Sequence, residues 1–181
     1  MKKNNTKNTH DHVIEYVDWL TKNGCVIGKI DKYFAHVHGL LHPAVHVFVF
    51  DAKKRLILQY RSHTKKIYPR HWDTSVGGHV HAGESLEKST QREMNEELGI
   101  RIPFHYLGFA DVEDKEENYY HHEHVHYYFS LLPARMKIKP NEEFEKINFV
   151  PLEKIPAFIH THPFTSTFLA GWKKFRKTIK T

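Results

Sequence analysis

The chain has 181 residues, 40% of them hydrophobic and 13% aromatic, with a formal net charge of +6. That length suits one well-packed domain and is short for two, and the apolar content excludes a disordered chain. No run approaches the roughly 18 apolar residues that cross a bilayer, so no membrane association is expected. The single cysteine, Cys25, excludes an intramolecular disulfide and fits a reducing, cytoplasmic setting.

Residues 1–12, MKKNNTKNTHDH, read as a flexible polar tail, and 13–181 as a single domain. EYVDWLTKNGCVIGKI predicts two short strands around the Asn23-Gly24 turn. HVHGLLHP reads as an irregular connector, AVHVFVFD as a strand, Asp51-Ala-Lys-Lys as a turn and RLILQYRS as the next strand. HTKKIYPRHWDTSV reads as a loop entering a short strand, and Gly77-Gly78 as a flexible turn. A helix is then expected from an N-cap at Ser85 to about Leu98, stopped by Gly99. Leu86, Thr90, Met94 and Leu98 form its apolar stripe. FHYLGFADVE and HEHVHYYFSLL predict strands separated by a polar loop, DKEENYYHH. INFVPLEKIPAFI reads as a strand leading into a short helical turn. The closing helix, FTSTFLAGWKKFRKT, should bury Phe164, Phe168, Leu169 and Trp172 on one face. The sum is a mixed β-sheet with helices packed on it, an α+β arrangement.

One stretch carries chemistry. Glu93, Glu96 and Glu97 stand at i, i+3 and i+4, so a helix would gather three mutually repelling carboxylates on one face. Clustered carboxylates are oxygen donors for hard cations such as Mg²⁺ or Mn²⁺, and a bound divalent ion reverses the local electrostatics. Arg92 stands where it can pair with Glu84 and hold the preceding loop to the helix. Taken alone, such a run also reads as an ordinary solvated face.

The spacing narrows the choice. From Gly78, five residues lead to Glu84 and seven more to Arg92-Glu93; Met94, Asn95, Glu96-Glu97, Leu98, Gly99 and Ile100 follow. This pattern resembles the signature of the Nudix hydrolase family, with every fixed position filled. The resemblance implies an α/β/α sandwich and hydrolysis of a small-molecule diphosphate by attack of water on phosphorus. It also implies Mg²⁺ or Mn²⁺ as cofactor. Glu93, Glu96 and Glu97 would then be metal ligands, one of them also the base, with the Gly78 carbonyl as a further ligand and Glu84 and Arg92 in structural roles.

Outside this box, RSHTKKIYPRHWDTSVGGH resembles the corresponding segment of isopentenyl-diphosphate isomerases and the hydrolases nearest them. That likeness implies diphosphate binding by Arg61 and Lys65. It also implies a second, histidine-rich metal site from His42, His79, Glu123 and either His36 or His38. Histidine suits Zn²⁺ or Mn²⁺ better than Mg²⁺. The isomerases place a catalytic cysteine directly before the Gly-His pair, where this chain has Gly77, so hydrolase is the expected activity. Isomerase and RNA-directed pyrophosphohydrolase are the alternatives. The basic clusters, Lys65-Lys66 and WKKFRKTIK, are short, and nucleic acid is not the expected partner. Neither substrate identity nor oligomeric state is legible, and a homodimer is compatible with the sequence.

Overall fold

A computed structural model describes residues 14–116 and 118–179; the tail expected over 1–12 lies outside them. The elements run β1 (Tyr16–Leu20), β2 (Val26–Asp31), α1 (Lys32–His38), β3 (His42–Phe50), β4 (Arg55–Arg61), β5 (Trp72–Asp73) and β6 (Val76–His79). Then come α2 (Leu86–Leu98), β7 (Phe104–Glu116), β8 (Tyr119–Leu131), β9 (Phe144–Pro151), α3 (Ile155–Thr161) and α4 (Ser166–Phe175).

β1 and β2 form a separate antiparallel hairpin. The main sheet is mixed, with β5, β4, β3, β8 and β7 in order, β6 also paired to β3 and β9 to β4. β3 and β8 pair in parallel, and the sheet's other strand pairs among the described residues are antiparallel. β3 is buried along its whole length, and successive side chains of a strand point to opposite faces. Ala44, Phe48 and Phe50 accordingly join one core with Tyr127, Ile155, Phe168 and Trp172. Val45, Val47 and Val49 join the other, with Met94 and Leu98 of α2. Helices thus cover both faces of the sheet, as an α/β/α sandwich requires.

Local chemistry sets the helix ends. Ser85 accepts a hydrogen bond from the Lys88 amide, and Gly99 closes α2 in the left-handed region at φ 66°. The predicted connector at 36–43 is replaced by α1 and the start of β3. Asp31 caps α1 by accepting from the Phe34 amide, and Gly39 ends it at φ 62°. Gly77 and Gly78 are not a turn but the middle of β6, held extended by pairing with His46 and Val45. The predicted loop DKEENYYHH is also overturned. Pairs such as Glu113–His122, Asp114–His121 and Lys115–Tyr120 extend the β7–β8 ladder through most of it. In the closing helix, Phe168 and Trp172 are buried as expected, but Leu169 is 40% exposed. Phe164 is buried yet precedes α4, whose cap is Thr165.

Candidate active site

A cleft of about 900 Å³ opens beside β6, bounded by α1, the 61–68 segment, the second half of α2 and the outer part of β8. Glu93 and Glu97 are buried, whereas the Glu96 side chain is 53% exposed. The backbone of β6 runs against the two buried carboxylates. Glu97 Oε2 accepts from the Gly77 amide at 3.1 Å and from Gln59 Nε2 at 3.3 Å. A Cβ at residue 78 would collide with the Glu93 carboxyl, so only glycine allows this approach. Burial pushes both carboxyls above their usual range, and for Glu97 the neighbouring Glu93 adds to the shift.

Arg92 balances much of this charge. It reaches Glu84 Oε2 at 3.1 Å, Glu93 Oε1 at 2.6 Å and Glu96 Oε2 at 3.2 Å. It also donates to the His79 carbonyl at 2.9 Å. Ser89 donates to Glu84 at 2.6 Å. Burial raises the Glu84 pKa, but the bonds from Ser89 and Arg92 outweigh it and leave it lowered. One guanidinium therefore joins the loop before α2, the helix itself and the end of β6.

On the other face of β6 stands a second group. His42 pairs with Glu123 across β3 and β8, and His79 pairs with Ala44 across β6 and β3. The period of two then puts His42, His79 and Glu123 on one face, where α1 adds His36. One ligand atom from each of His36, His42, His79 and Glu123 lies within 4.8 Å of the other three. His38 is not in this group. His36 Nδ1 bonds to the Tyr120 carbonyl at 2.9 Å, and His42 Nδ1 to the Leu40 carbonyl at 2.7 Å. Each ring's Nδ1–H is thereby spent on the backbone, leaving Nε2 as a lone pair. His42 Nε2 is buried without a hydrogen-bond partner among the described residues, and His36 Nε2 faces His79 Nε2 at 3.0 Å. Orphaned and facing imidazole nitrogens beside a carboxylate are a donor set for a transition ion, already oriented by outer hydrogen bonds. Burial lowers the pKa of His42 to about 4 and of His79 to about 3, keeping both rings neutral.

The remaining expected residues also line the cleft. Arg61 donates to the carbonyls of Ile67 and Tyr68 and meets Asp73 Oδ2 at 3.4 Å. Lys65 pairs with Glu143 at 2.5 Å.

A family model described as "NUDIX domain" matches residues 40–170. The chain belongs to the NUDIX domain family. It is 32% identical over 157 residues to Nudix hydrolase 3 of Arabidopsis thaliana, covering 80% of this chain but 20% of that one. It is 31% identical over 154 residues to isopentenyl-diphosphate Delta-isomerase 2 of Photorhabdus laumondii, covering 84% and 85% of the two chains. The Nudix chain thus spans one fifth of its Arabidopsis relative. Among solved structures, DR0079 of Deinococcus radiodurans superposes with a TM-score of 0.72 at 19% identity. That match covers 90% of this chain and 100% of the other, and it establishes the shared fold.

Several cleft residues of this Nudix chain lie outside the sequence expectations: His46, Asp73, His121 and Glu143. The first and third were within reach of strand alternation, since His46 shares a face with His42 and His121 with Glu123. His121 Nδ1 lies 3.2 Å from Glu123 Oε1. Asp73 and Glu143 carry no signal along the chain. Only the pairing of β4 with β5 and β9 brings their neighbourhood to the cleft.

Proposed function

We propose that this protein is a metal-dependent hydrolase of a small-molecule diphosphate, using water as the nucleophile. The observation that carries this reading is the burial of Glu93 and Glu97 against the glycine backbone of β6, with Glu93 lining a cleft that Arg61, Lys65 and Lys66 also line. Buried carboxylates stay charged at little cost only with a compensating cation, and here the donors are all oxygens.

Glu93, Glu96, Glu97 and the Gly78 carbonyl would hold Mg²⁺ or Mn²⁺. Such an ion offsets phosphate charge and lowers the pKa of water. One of the three carboxylates takes the proton of the attacking water. Glu97 is held for this by the Gly77 amide, and Arg92 fixes the loop and helix that carry the others. Arg61 and Lys65 grip the diphosphate, Lys65 by exchanging Glu143 for phosphate and Arg61 from its seat on the loop carbonyls. His36, His42, His79 and Glu123 would hold a second ion, Zn²⁺ or Mn²⁺, supported by the unpartnered His42 Nε2.

The likeness to an isomerase supports a second reading, conversion of isopentenyl diphosphate to its allylic isomer. Residue 77 counts against it, because glycine offers no side chain to move a proton on carbon. The deciding assay follows phosphate release from nucleoside diphosphate derivatives and isoprenoid diphosphates with Mg²⁺ or Mn²⁺. Release that requires the divalent ion is expected. Formation of the allylic isomer with no phosphate released would overturn the proposal.

A further inference from the structure

Gly77 does more than lack a side chain. It is the cross-strand partner of His46, so any residue-77 side chain would share a face with that ring. A Cβ built at 77 would stand 2.5 Å from His46 Cε1, 2.7 Å from Nδ1 and 3.0 Å from Nε2. Those distances are inside van der Waals contact, and the obstacle is a ring packed in the sheet. His46 therefore keeps its place because residue 77 is glycine.

The ring is also oriented. His46 Nδ1 lies 2.7 Å from Thr74 Oγ1, and that hydroxyl donates to the Val76 carbonyl at 3.0 Å. With the threonine proton spent, Nδ1 carries the hydrogen and donates, and Nε2 is left as an acceptor. His46 is 6% exposed and lines the cleft, and no hydrogen bond to its Nε2 occurs among the described residues. The surroundings are equally polar. Asp73 accepts from Thr165 Oγ1 at 2.8 Å, and Thr167 and His121 complete this part of the wall. The apolar lining comes from Ile14, Ala44 and Ile67 and from the rings of Tyr33, Tyr68 and Tyr119. An apolar tail laid against His46 and Asp73 would strip water from these groups without replacing its hydrogen bonds.

We propose that His46, admitted by Gly77, is a substrate-positioning residue whose Nε2 accepts a hydrogen bond from a polar group attached to the diphosphate, and that it disfavours a prenyl tail. The inference rests on the diphosphate-hydrolase reading, but its test separates the two. The probes are ADP-ribose, rich in hydroxyl donors, and isopentenyl diphosphate, with none on its tail. On the intact protein with Mg²⁺, ¹⁵N NMR of the His46 ring follows Nε2 during titration with each. ADP-ribose is expected to shift Nε2, and isopentenyl diphosphate to leave it in place. In kinetics, His46→Phe should lower kcat/KM for ADP-ribose at least about tenfold, mainly through KM, while His46→Gln recovers most of the loss through its amide oxygen. Gly77→Ala should match His46→Phe in effect, yet add nothing in a His46→Ala background, where no ring remains to displace. An Nε2 resonance unmoved by ADP-ribose, or moved equally by both probes, would overturn the proposal. So would an unchanged kcat/KM in His46→Phe. An Nε2 shift specific to ADP-ribose without any turnover would uphold it while removing the hydrolase reading.

Discussion

Replacing Glu97 by Gln removes one negative charge from the acidic cluster and keeps its shape. Both hydrogen bonds to this side chain, from the Gly77 amide and from Gln59, fall on the same oxygen, Oε2. A glutamine carbonyl in that place accepts both, so β6 and α2 stay docked. Without metal the variant should be at least as stable as wild type, since repulsion from Glu93 at i, i+4 is relieved by about 0.2–0.5 kcal/mol or more in this buried setting. With metal the order reverses. An ion at 100 times its dissociation constant stabilises the folded state by about 2.7 kcal/mol. For a domain of this size that is an upward shift of about 5–11 °C. The variant should gain much less, and its phosphate release should fall at least about 100-fold, the scale of losing a general base or key ligand. Thermal melts with and without Mn²⁺, run beside the turnover assay, make the comparison. A variant that melts and turns over as wild type does in Mn²⁺ would refute the role given to Glu97.

Gly78→Ala should cost about 1–3 kcal/mol by forcing the Glu93 carboxyl aside, and isothermal titration should show weakened Mg²⁺ binding. Arg92→Ala removes the cation nearest Glu93 and leaves Glu84 only the longer contact with Lys88, and chemical denaturation should report a loss of about 3 kcal/mol. His42→Gln should reduce the transition metal that copurifies with the protein, measured by elemental analysis, while leaving Mg²⁺ binding at the glutamates intact. Stability of the chelator-treated protein should also respond to acid at this ring. The folded-state pKa of His42, about 4, lies below the ordinary 6.5, so its contribution is present above pH 6.5 and lost as pH falls toward 4. Melting temperature should therefore drop more steeply across that window in wild type than in His42→Gln.

The acidic box was legible because its residues are close in sequence and helical geometry does the gathering: Ser85 and Gly99 mark the ends of α2, and Glu93 and Glu97 fall on one face by period alone. The buried sheet followed from β3 and β4, whose apolar density has no surface reading, while the sandwich came only with the resemblance. What failed depended on partners far along the chain. Two adjacent glycines look like a turn until β3 is placed beside them, and DKEENYYHH looks like a loop until its two halves are paired. Choosing His36 over His38 needed the roll of α1, a seven-residue helix whose cap, Asp31, lies outside the motifs. Arg61 and Lys65 could be placed at the cleft by resemblance, but their hold on the 67–68 carbonyls and on Glu143 is a property of the folded loops.

The four residues of β6 carry both clusters within one cleft. Gly78 meets the glutamates on one side, and His79 meets the histidines on the other. Displacing this strand away from one cluster shifts it relative to the other. Changes in α1 or α2 should therefore reach one proposed ion seat alone, whereas a shift of the 76–79 backbone should reach both.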